Sequence, residues 1–201
     1  MRSLRGQDLL IATGNAGKFA EFSALLAPFG TRVLSLKDFG LEEPEETEIT
    51  FAGNARLKAR AASRVSGLPT LADDSGLVVD ALGGLPGIYT ADWAERRVGR
   101  DFALAMSKTW SLLRAMGAAS SKASFYCWLA LAWPDTQDVD FSGQLDGDLV
   151  WPMRGLQGHG YDPIFQPTGY DVTMGELSTK QKNQISHRSV AVRKFIAQCF
   201  T

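Results

Sequence analysis

Hydrophobic and polar positions along the chain of 201 residues predict strands and helices in succession. Residues 8–12, with an apolar run from Leu9 to Ala12, are typical of a buried strand, and apolar side chains then recur at helical spacing over residues 19–29. Gly30 follows that stripe, as a glycine commonly follows a helix. Thr50 is placed to cap a second helix, which should run to about Val65 with Val65 on its core side.

The rest of the chain continues this mixture. Asp73-Asp74-Ser75-Gly76 separates two short predicted strands, and Met116 ends the apolar stripe of a third helix. Strands are predicted at 70–72, 77–82, 123–133 and near 138–145 (a hairpin from Pro134), helices at 101–116 and from about 186, and an ordered loop with a short strand at 155–169. Such a mixture favours an α/β or α+β domain around one sheet.

Composition restricts the class of protein further. Hydrophobic residues are 45% of the chain and charged residues 21%, as in soluble globular proteins. The length suits one domain over residues 1–201, with two lobes and no separate domains. A net charge of −1 gives no positive field for long nucleic acids. The apolar run at 9–12 is too short for a signal peptide or a membrane span, so a soluble, cytoplasmic protein is expected.

Cys127 and Cys199 are the two cysteines, and each lies inside an apolar run. This placement predicts two buried thiols in a reducing compartment. The chain has no Cys/His spacing typical of a zinc site.

The segment Thr13-Gly14-Asn15-Ala16-Gly17-Lys18 connects a predicted strand to a predicted helix. Backbone amides and the helix dipole favour an anion at such a position, and Lys18 adds a positive charge in the first turn. The segment is not a Walker A loop, because Ala12 stands at the first glycine position and Phe19 at the Ser/Thr position. A plain strand-to-helix turn remains the alternative.

Two further segments are rich in carboxylates. Residues 42–48 contain five glutamates, and the helix that follows carries Asn54 and Lys58 four positions apart, hence on one face. That face can present an amide and a cation to a phosphate chain. Asp73 and Asp74 offer the oxygen ligands that Mg²⁺ prefers, although adjacent side chains of an extended segment point to opposite sides. A solvated acidic surface and a simple turn are the alternatives.

The only two histidines of the chain, His159 and His187, lie in the C-terminal third among other polar groups. Gly158 to Pro163 precedes Lys182 and Arg188 in this region. Taken singly, each histidine suits a helix cap or a surface position. Together with the other three segments they indicate a ligand site.

These segments together resemble the inosine triphosphate pyrophosphatase family, also called XTP/dITP diphosphatases. The resembling stretches are ATGNAGKFAEF (12–22), EETEITFAGNARLKA (45–59), ADDSGLVVDALGGLPGIYTA (72–91), GHGYDPIF (158–165) and KNQISHRSVA (182–191). Each motif alone is weakly specific, but the ordered set spans nearly the whole chain.

The resemblance implies an elongated mixed sheet flanked by helices, with a nucleotide cleft between two lobes, and a homodimer. It also implies Mg²⁺-dependent hydrolysis of ITP, dITP or XTP to the monophosphate and pyrophosphate. The implied site residues are Thr13, Gly14, Asn15, Ala16, Gly17, Lys18 and Lys58 for the triphosphate; Glu45 and Asp74 for Mg²⁺, with Asp74 also the general base; and Ser75, His159, Gly160, Tyr161, Asp162, Lys182, His187 and Arg188 for the rest of the substrate.

His159 departs from the family pattern, which has a large aromatic residue there to stack on the base. Two other activities remain open: hydrolysis of modified pyrimidine triphosphates, and nucleotide binding without turnover. Nucleic-acid binding through Trp128, Trp133 and Trp151 is a third alternative. No basic stripe accompanies those tryptophans, so a core or interface position is favoured for them.

Overall fold

The structure, a computed structural model, describes residues 2–118, 120–135 and 138–200. Those ranges contain six strands and five α-helices. The strands are β1 (Leu9–Ile11), β2 (Val33–Ser35), β3 (Thr70–Val79), β4 (Lys122–Ala132), β5 (Val139–Leu149) and β6 (Phe165–Pro167). The helices are α1 (Ala16–Leu26), α2 (Phe51–Ser66), α3 (Phe102–Ala115), α4 (Thr179–Ile185) and α5 (His187–Cys199).

The strands form one open sheet in the order β2-β1-β3-β4-β5-β6. β1 is parallel to both β2 and β3, whereas β5 and β6 are antiparallel. The prediction of a mixed sheet with helices is therefore confirmed. Its elongation and the cleft between two lobes stay predictions.

The chain divides into two compact units. The first unit comprises Met1–Asp74, Cys127–Gly143 and Val190–Thr201, and the second comprises Ser75–Tyr126 and Gln144–Ser189. The prediction of a single domain stays a prediction.

β1 of the first unit is buried along its whole length, which explains its uninterrupted apolar sequence. Leu9 and Ile11 belong to a cluster with side chains of α1 and α5, such as Phe22 and Phe195. Leu10 points the other way, into a cluster with three alanines of α2. Because successive strand residues alternate between faces, α1 with α5 covers one face and α2 covers the other.

α2 begins and ends where its sequence predicts. Thr50 is the N-cap, and its side chain accepts a hydrogen bond from the Gly53 amide. Gly67 ends the helix with a φ of 70°, which favours glycine. The prediction for Val65 is wrong, because its side chain is 67% exposed.

The core of the second unit gathers apolar side chains of β3, α3, β4 and β6, including Leu77, Met106 and Phe125. α3 matches its predicted bounds, but Met116 is 64% exposed and the predicted stripe ends before it. The strand predicted near 138–145 extends to Leu149. Part of the predicted hairpin, residues 136–137, lies outside the described residues.

Three differences concern the number of elements, and the first is that β2 (Val33–Ser35) was not predicted. The two strands predicted around Asp73–Gly76 are one continuous strand, β3, which is followed by a 3-10 helix at Asp80–Leu82. α4 was not predicted, although Ser178 and Gln181 form a capping box at its start. In the described part of the chain no helix is both long and apolar enough to cross a membrane.

Candidate active site

The predicted phosphate loop lies between β1 and α1, with Thr13 buried and Gly14 to Gly17 exposed. Asn15 caps α1, and its Oδ1 accepts hydrogen bonds from the amides of Gly17 (2.9 Å) and Lys18 (3.1 Å). The Asn15 amide in turn donates to Thr13 Oγ1 at 3.2 Å. The loop is thus fixed by its own side chains, as the helix start requires.

Glu43 adds an external partner to this loop. Its Oε2 accepts a hydrogen bond from the Gly14 amide at 2.7 Å. A Cβ added at Gly14 would lie 2.9 Å from that oxygen, so glycine permits the close approach of the carboxylate. The amide at the start of the predicted phosphate loop therefore already donates a hydrogen bond to an anionic group.

Lys18, in the first turn of α1, forms an ion pair with Asp73. Its Nζ lies 2.9 Å from Asp73 Oδ2, and the Asp73 side chain is 1% exposed whereas that of Lys18 is 24% exposed. A carboxylate buried this deeply needs such a counter-charge. The ion pair joins the predicted phosphate loop to β3.

Lys58 of α2 is a buried cation, with 1% of its side chain exposed. Its Nζ lies 2.6 Å from Glu46 Oε1 and 3.4 Å from Glu43 Oε1. Burial alone lowers the pKa of Lys58, but the charges of Asp73, Asp74 and Glu46 outweigh burial and the net pKa is raised. The lysine therefore stays charged in the interior.

Asp74 is the second buried carboxylate, and it lies on the opposite side of β3 from Asp73. Its Oδ2 accepts a hydrogen bond from Asn54 Nδ2 at 3.2 Å, so it is directed toward α2. Burial raises the pKa of Asp74 to about 6; Lys58 opposes the rise and Glu46 adds to it. A carboxyl group with this pKa suits a general base near neutral pH.

Asn54 connects Asp74 to the acidic segment. Its Oδ1 accepts a hydrogen bond from the Glu48 amide at 3.0 Å while its Nδ2 donates to Asp74. Asn54 is 1% exposed, so both ends of the amide are satisfied inside the protein. The amide that was expected to face a phosphate chain instead orients a carboxylate.

Asp74 offers carboxylate oxygens of the kind that a hard cation prefers, and Glu46 lies close enough to raise its pKa. Glu45 is exposed on the segment 41–48, which has no regular structure up to residue 48. Over residues 2–118, 120–135 and 138–200 no three His, Cys, Asp or Glu side chains are grouped closely enough to hold a metal ion. Mg²⁺ commonly uses one or two carboxylates and keeps several waters. Because burial raises the pKa of Asp74, a cation there would relieve the desolvated charge.

The remaining predicted residues lie in the second unit, where a hydrogen-bonded loop holds His159. The His159 amide donates to Asp162 Oδ2 at 2.9 Å, and the same oxygen is paired with Lys182 of α4. Gly158 has a φ of 94°, and a Cβ there would collide with Asp162 and Lys182. The loop therefore brings together His159, Asp162 and Lys182 and leaves His159 exposed.

Tyr161 and His187 are held by aromatic contacts in the same unit. Tyr161 is 1% exposed, its ring lies edge-on to Phe102 at 6.0 Å between centroids, and burial raises its pKa to about 12. His187 stacks on Phe125 with ring centroids 5.0 Å apart. His187 and its neighbour Arg188, at the start of α5, are half-buried, as is Ser75 of β3.

An open mixed sheet with two lysines and two buried aspartates beside a strand-to-helix loop defines an α/β protein suited to binding a phosphorylated ligand. The chain belongs to the Ham1 family, whose model matches residues 9–198. The family resemblance inferred from the motifs is confirmed.

Relatives of the chain cover it almost completely. A protein of Ruegeria pomeroyi named dITP/XTP pyrophosphatase is 54% identical over 200 residues, which are 99% of this chain and 98% of that protein. A Rhizobium meliloti protein of the same name is 48% identical over 211 aligned residues, covering 99% of each chain.

Solved structures of Ham1 proteins have the same fold. The HAM1 protein from Coxiella burnetii has a TM-score of 0.89 at 34% identity and covers 94% of this chain and 96% of its own. The Staphylococcus aureus Ham1 protein has a TM-score of 0.83 at 35% identity, with 95% and 97% covered.

The contact of Glu43 with Gly14 was not predicted. Five glutamates lie in the seven residues 42–48, and the sequence does not indicate which of them turns inward. The spacing of Asn54 and Lys58 did predict that both side chains share one face of α2, and both are buried there.

Proposed function

We propose that this protein hydrolyses dITP, XTP and ITP to the nucleoside monophosphate and pyrophosphate. The supporting observation is the cluster of Lys18, Lys58, Asp73 and Asp74 beside the strand-to-helix loop, in a chain whose relatives are named dITP/XTP pyrophosphatase. Cleavage between the α and β phosphates requires positive charge on the leaving pyrophosphate and a base for water. The cluster contains both kinds of group.

In this proposal Asp74 accepts the proton of the attacking water. Its pKa of about 6 leaves it mostly ionised at neutral pH while it remains basic enough to take a proton. Asn54 holds the carboxylate in place through its hydrogen bond to Oδ2. Mg²⁺, held by Glu45 and Asp74, would neutralise charge on the phosphates and lower the pKa of water.

The two lysines would receive the phosphates by exchanging partners. In this structure Lys18 pairs with Asp73 and Lys58 with Glu46. A triphosphate carries more total negative charge than a carboxylate, so a phosphate oxygen can take the place of a carboxylate oxygen beside each ammonium group. The proposal also includes the homodimer and the cytoplasmic location that the family resemblance implies.

Pyrophosphate, and not orthophosphate, is expected as the co-product of dITP and XTP. Reaction mixtures should be assayed separately for both anions, with ATP, GTP and modified pyrimidine triphosphates as comparison substrates. Excess EDTA is expected to abolish turnover, because Glu45 and Asp74 are proposed as metal ligands. Orthophosphate release with a diphosphate left behind, or full activity in EDTA, would contradict the proposal.

Selection of the base is expected to depend on donors at the 6-oxo edge. His187 and Arg188 can donate to the 6-oxo group of hypoxanthine or xanthine, whereas the 6-amino group of adenine would leave such donors unpaired. Each donor that a bound base would cover without pairing costs about 1–3 kcal/mol, so dITP and XTP should be far better substrates than ATP.

His159 is expected to stack on the base without reading its edge. His159→Phe should keep the ranking of substrates, while His159→Ala should raise KM for every purine triphosphate. Steady-state kinetics with dITP, XTP, ATP and GTP measure both effects. If His159→Phe made ATP or GTP a good substrate, the stacking role would be wrong.

A further inference from the structure

Glu43 connects two groups that attract anions. Its Oε2 accepts the hydrogen bond from the Gly14 amide at 2.7 Å, and its Oε1 lies 3.4 Å from Lys58 Nζ. One carboxylate thus spans the start of the loop before α1 and the buried ammonium group of α2. Its geometry is that of an anionic ligand bound by a backbone amide and a lysine.

The same amide and the same lysine are assigned to the triphosphate in the proposed function, on which this inference rests. One N–H group and one side of an ammonium group cannot serve Glu43 and a phosphate together. We propose that Glu43 is an internal competitor of the triphosphate: it occupies the loop in the substrate-free protein, leaves when substrate binds, and thereby raises KM.

Glu43 is positioned so that it can leave. It lies in a segment without helix or strand, and 31% of its side chain is exposed in the bound position. Rotation of the side chain moves the carboxylate into water, where its charge is solvated. The segment itself remains attached through the hydrogen bond from the Glu48 amide to Asn54.

The fold does not depend on this contact. Gly14 is exposed, so its amide can donate to water when the carboxylate leaves. Lys58 keeps Glu46 at 2.6 Å, so the buried cation retains its shorter ion pair. A variant without the Glu43 carboxylate is therefore expected to fold normally.

The effect of Glu43 on KM depends on the fraction of molecules in which the Glu43 carboxylate has left the loop, here called the open fraction. The apparent dissociation constant is the intrinsic one divided by that fraction, so an open fraction of about one third to one tenth raises it about three- to tenfold. Glu43→Ala should lower KM by this factor with kcat retained. Glu43→Gln keeps the shape but loses the charge, and should give a smaller decrease.

Binding of inorganic tripolyphosphate, measured by calorimetry with Mg²⁺ present, tests the inference without turnover. The matched control is Glu42→Ala, which removes the same charge from an exposed neighbour. We expect the dissociation constant of tripolyphosphate to be about three- to tenfold lower in Glu43→Ala than in the unmodified protein. In Glu42→Ala the dissociation constant should be unchanged. KM and kcat for dITP should be measured on the same samples.

Equal tightening in both variants would show a general effect of charge and overturn the inference. Weaker binding in Glu43→Ala would show that Glu43 supports the site instead of competing for it, and would also overturn it. If dITP and XTP were not hydrolysed but tripolyphosphate still bound more tightly to Glu43→Ala, the proposed function would fail while the competition by Glu43 stood.

Discussion

Asp74→Asn is expected to lose about 10²–10⁴-fold in kcat for dITP, toward the upper end of that range, and still bind substrate. The amide is nearly the same size as the carboxylate, but it cannot take a proton and is a poorer ligand for Mg²⁺. Steady-state kinetics together with calorimetry of tripolyphosphate binding separate turnover from binding.

The stability of this variant can be predicted from the pKa of Asp74. That pKa is about 6 in the folded protein and near 3.8 ordinarily. Between these values the folded state binds more protons than the unfolded state, so the contribution of Asp74 to stability falls as pH rises from about 4 to 6. Above that window the buried charge is a net cost. Asp74→Asn should therefore be at least as stable as the unmodified protein at pH 7.5 in EDTA.

Asp73→Asn is the matched comparison, because Asp73 is equally buried but pairs with Lys18 on the other face of β3. Its kcat should fall much less than that of Asp74→Asn. The loss of the ion pair should appear in the melting temperature instead. Equal losses of kcat in the two variants would mean that the roles of the two aspartates are assigned wrongly.

Lys58→Met is expected to lower both stability and affinity for the triphosphate. Removing one member of a buried ion pair costs about 3–5 kcal/mol, and the cost here should be nearer 2–4 kcal/mol because Glu46 and Glu43 reach solvent. Asp73 and Asp74 would also lose the stabilising positive charge of Lys58. Denaturant unfolding measures the first effect, and KM for dITP measures the second.

Lys37→Met is the control for this variant, since it removes an exposed lysine from the 3-10 helix at Leu36–Phe39. It should change the free energy of unfolding by less than about 0.5 kcal/mol. A Lys58→Met protein as stable as Lys37→Met would contradict the structural role given to the buried ammonium group.

Elements with local signals could be predicted from the sequence. α1, α2, α3 and β1 lie where apolar spacing and, for α2, the Thr50 cap place them, because a cap and an apolar stripe act within a few residues. α1 ends earlier than predicted, at Leu26, and a 3-10 helix at Ala27–Phe29 continues to Gly30. Spacing alone predicts that Val65 and Met116 face the core. Each lies at the C-terminal end of its helix and is exposed, so periodicity alone gives the wrong answer there.

The course of β3 could not be predicted because its cause is not local. Two adjacent aspartates resemble a turn, yet here they continue a buried strand. Lys18 and Asn54, which are distant in sequence, satisfy one aspartate each. The position of Glu43 likewise depends on the backbone path of an irregular segment. A periodic pattern of apolar residues cannot predict that path.

Successive side chains of β3 lie on alternate faces of the sheet, and this alternation limits where residues can be inserted or deleted. One residue inserted between Leu71 and Asp73 would turn Asp73 toward α2 and Asp74 toward α1, and would also reverse every apolar side chain that follows. Two inserted residues would restore the faces but shift both carboxylates about 6.6 Å along the strand, beyond reach of their partners. Insertions and deletions tolerated during the divergence of this family should therefore fall outside Thr70–Val79, in the connections between elements.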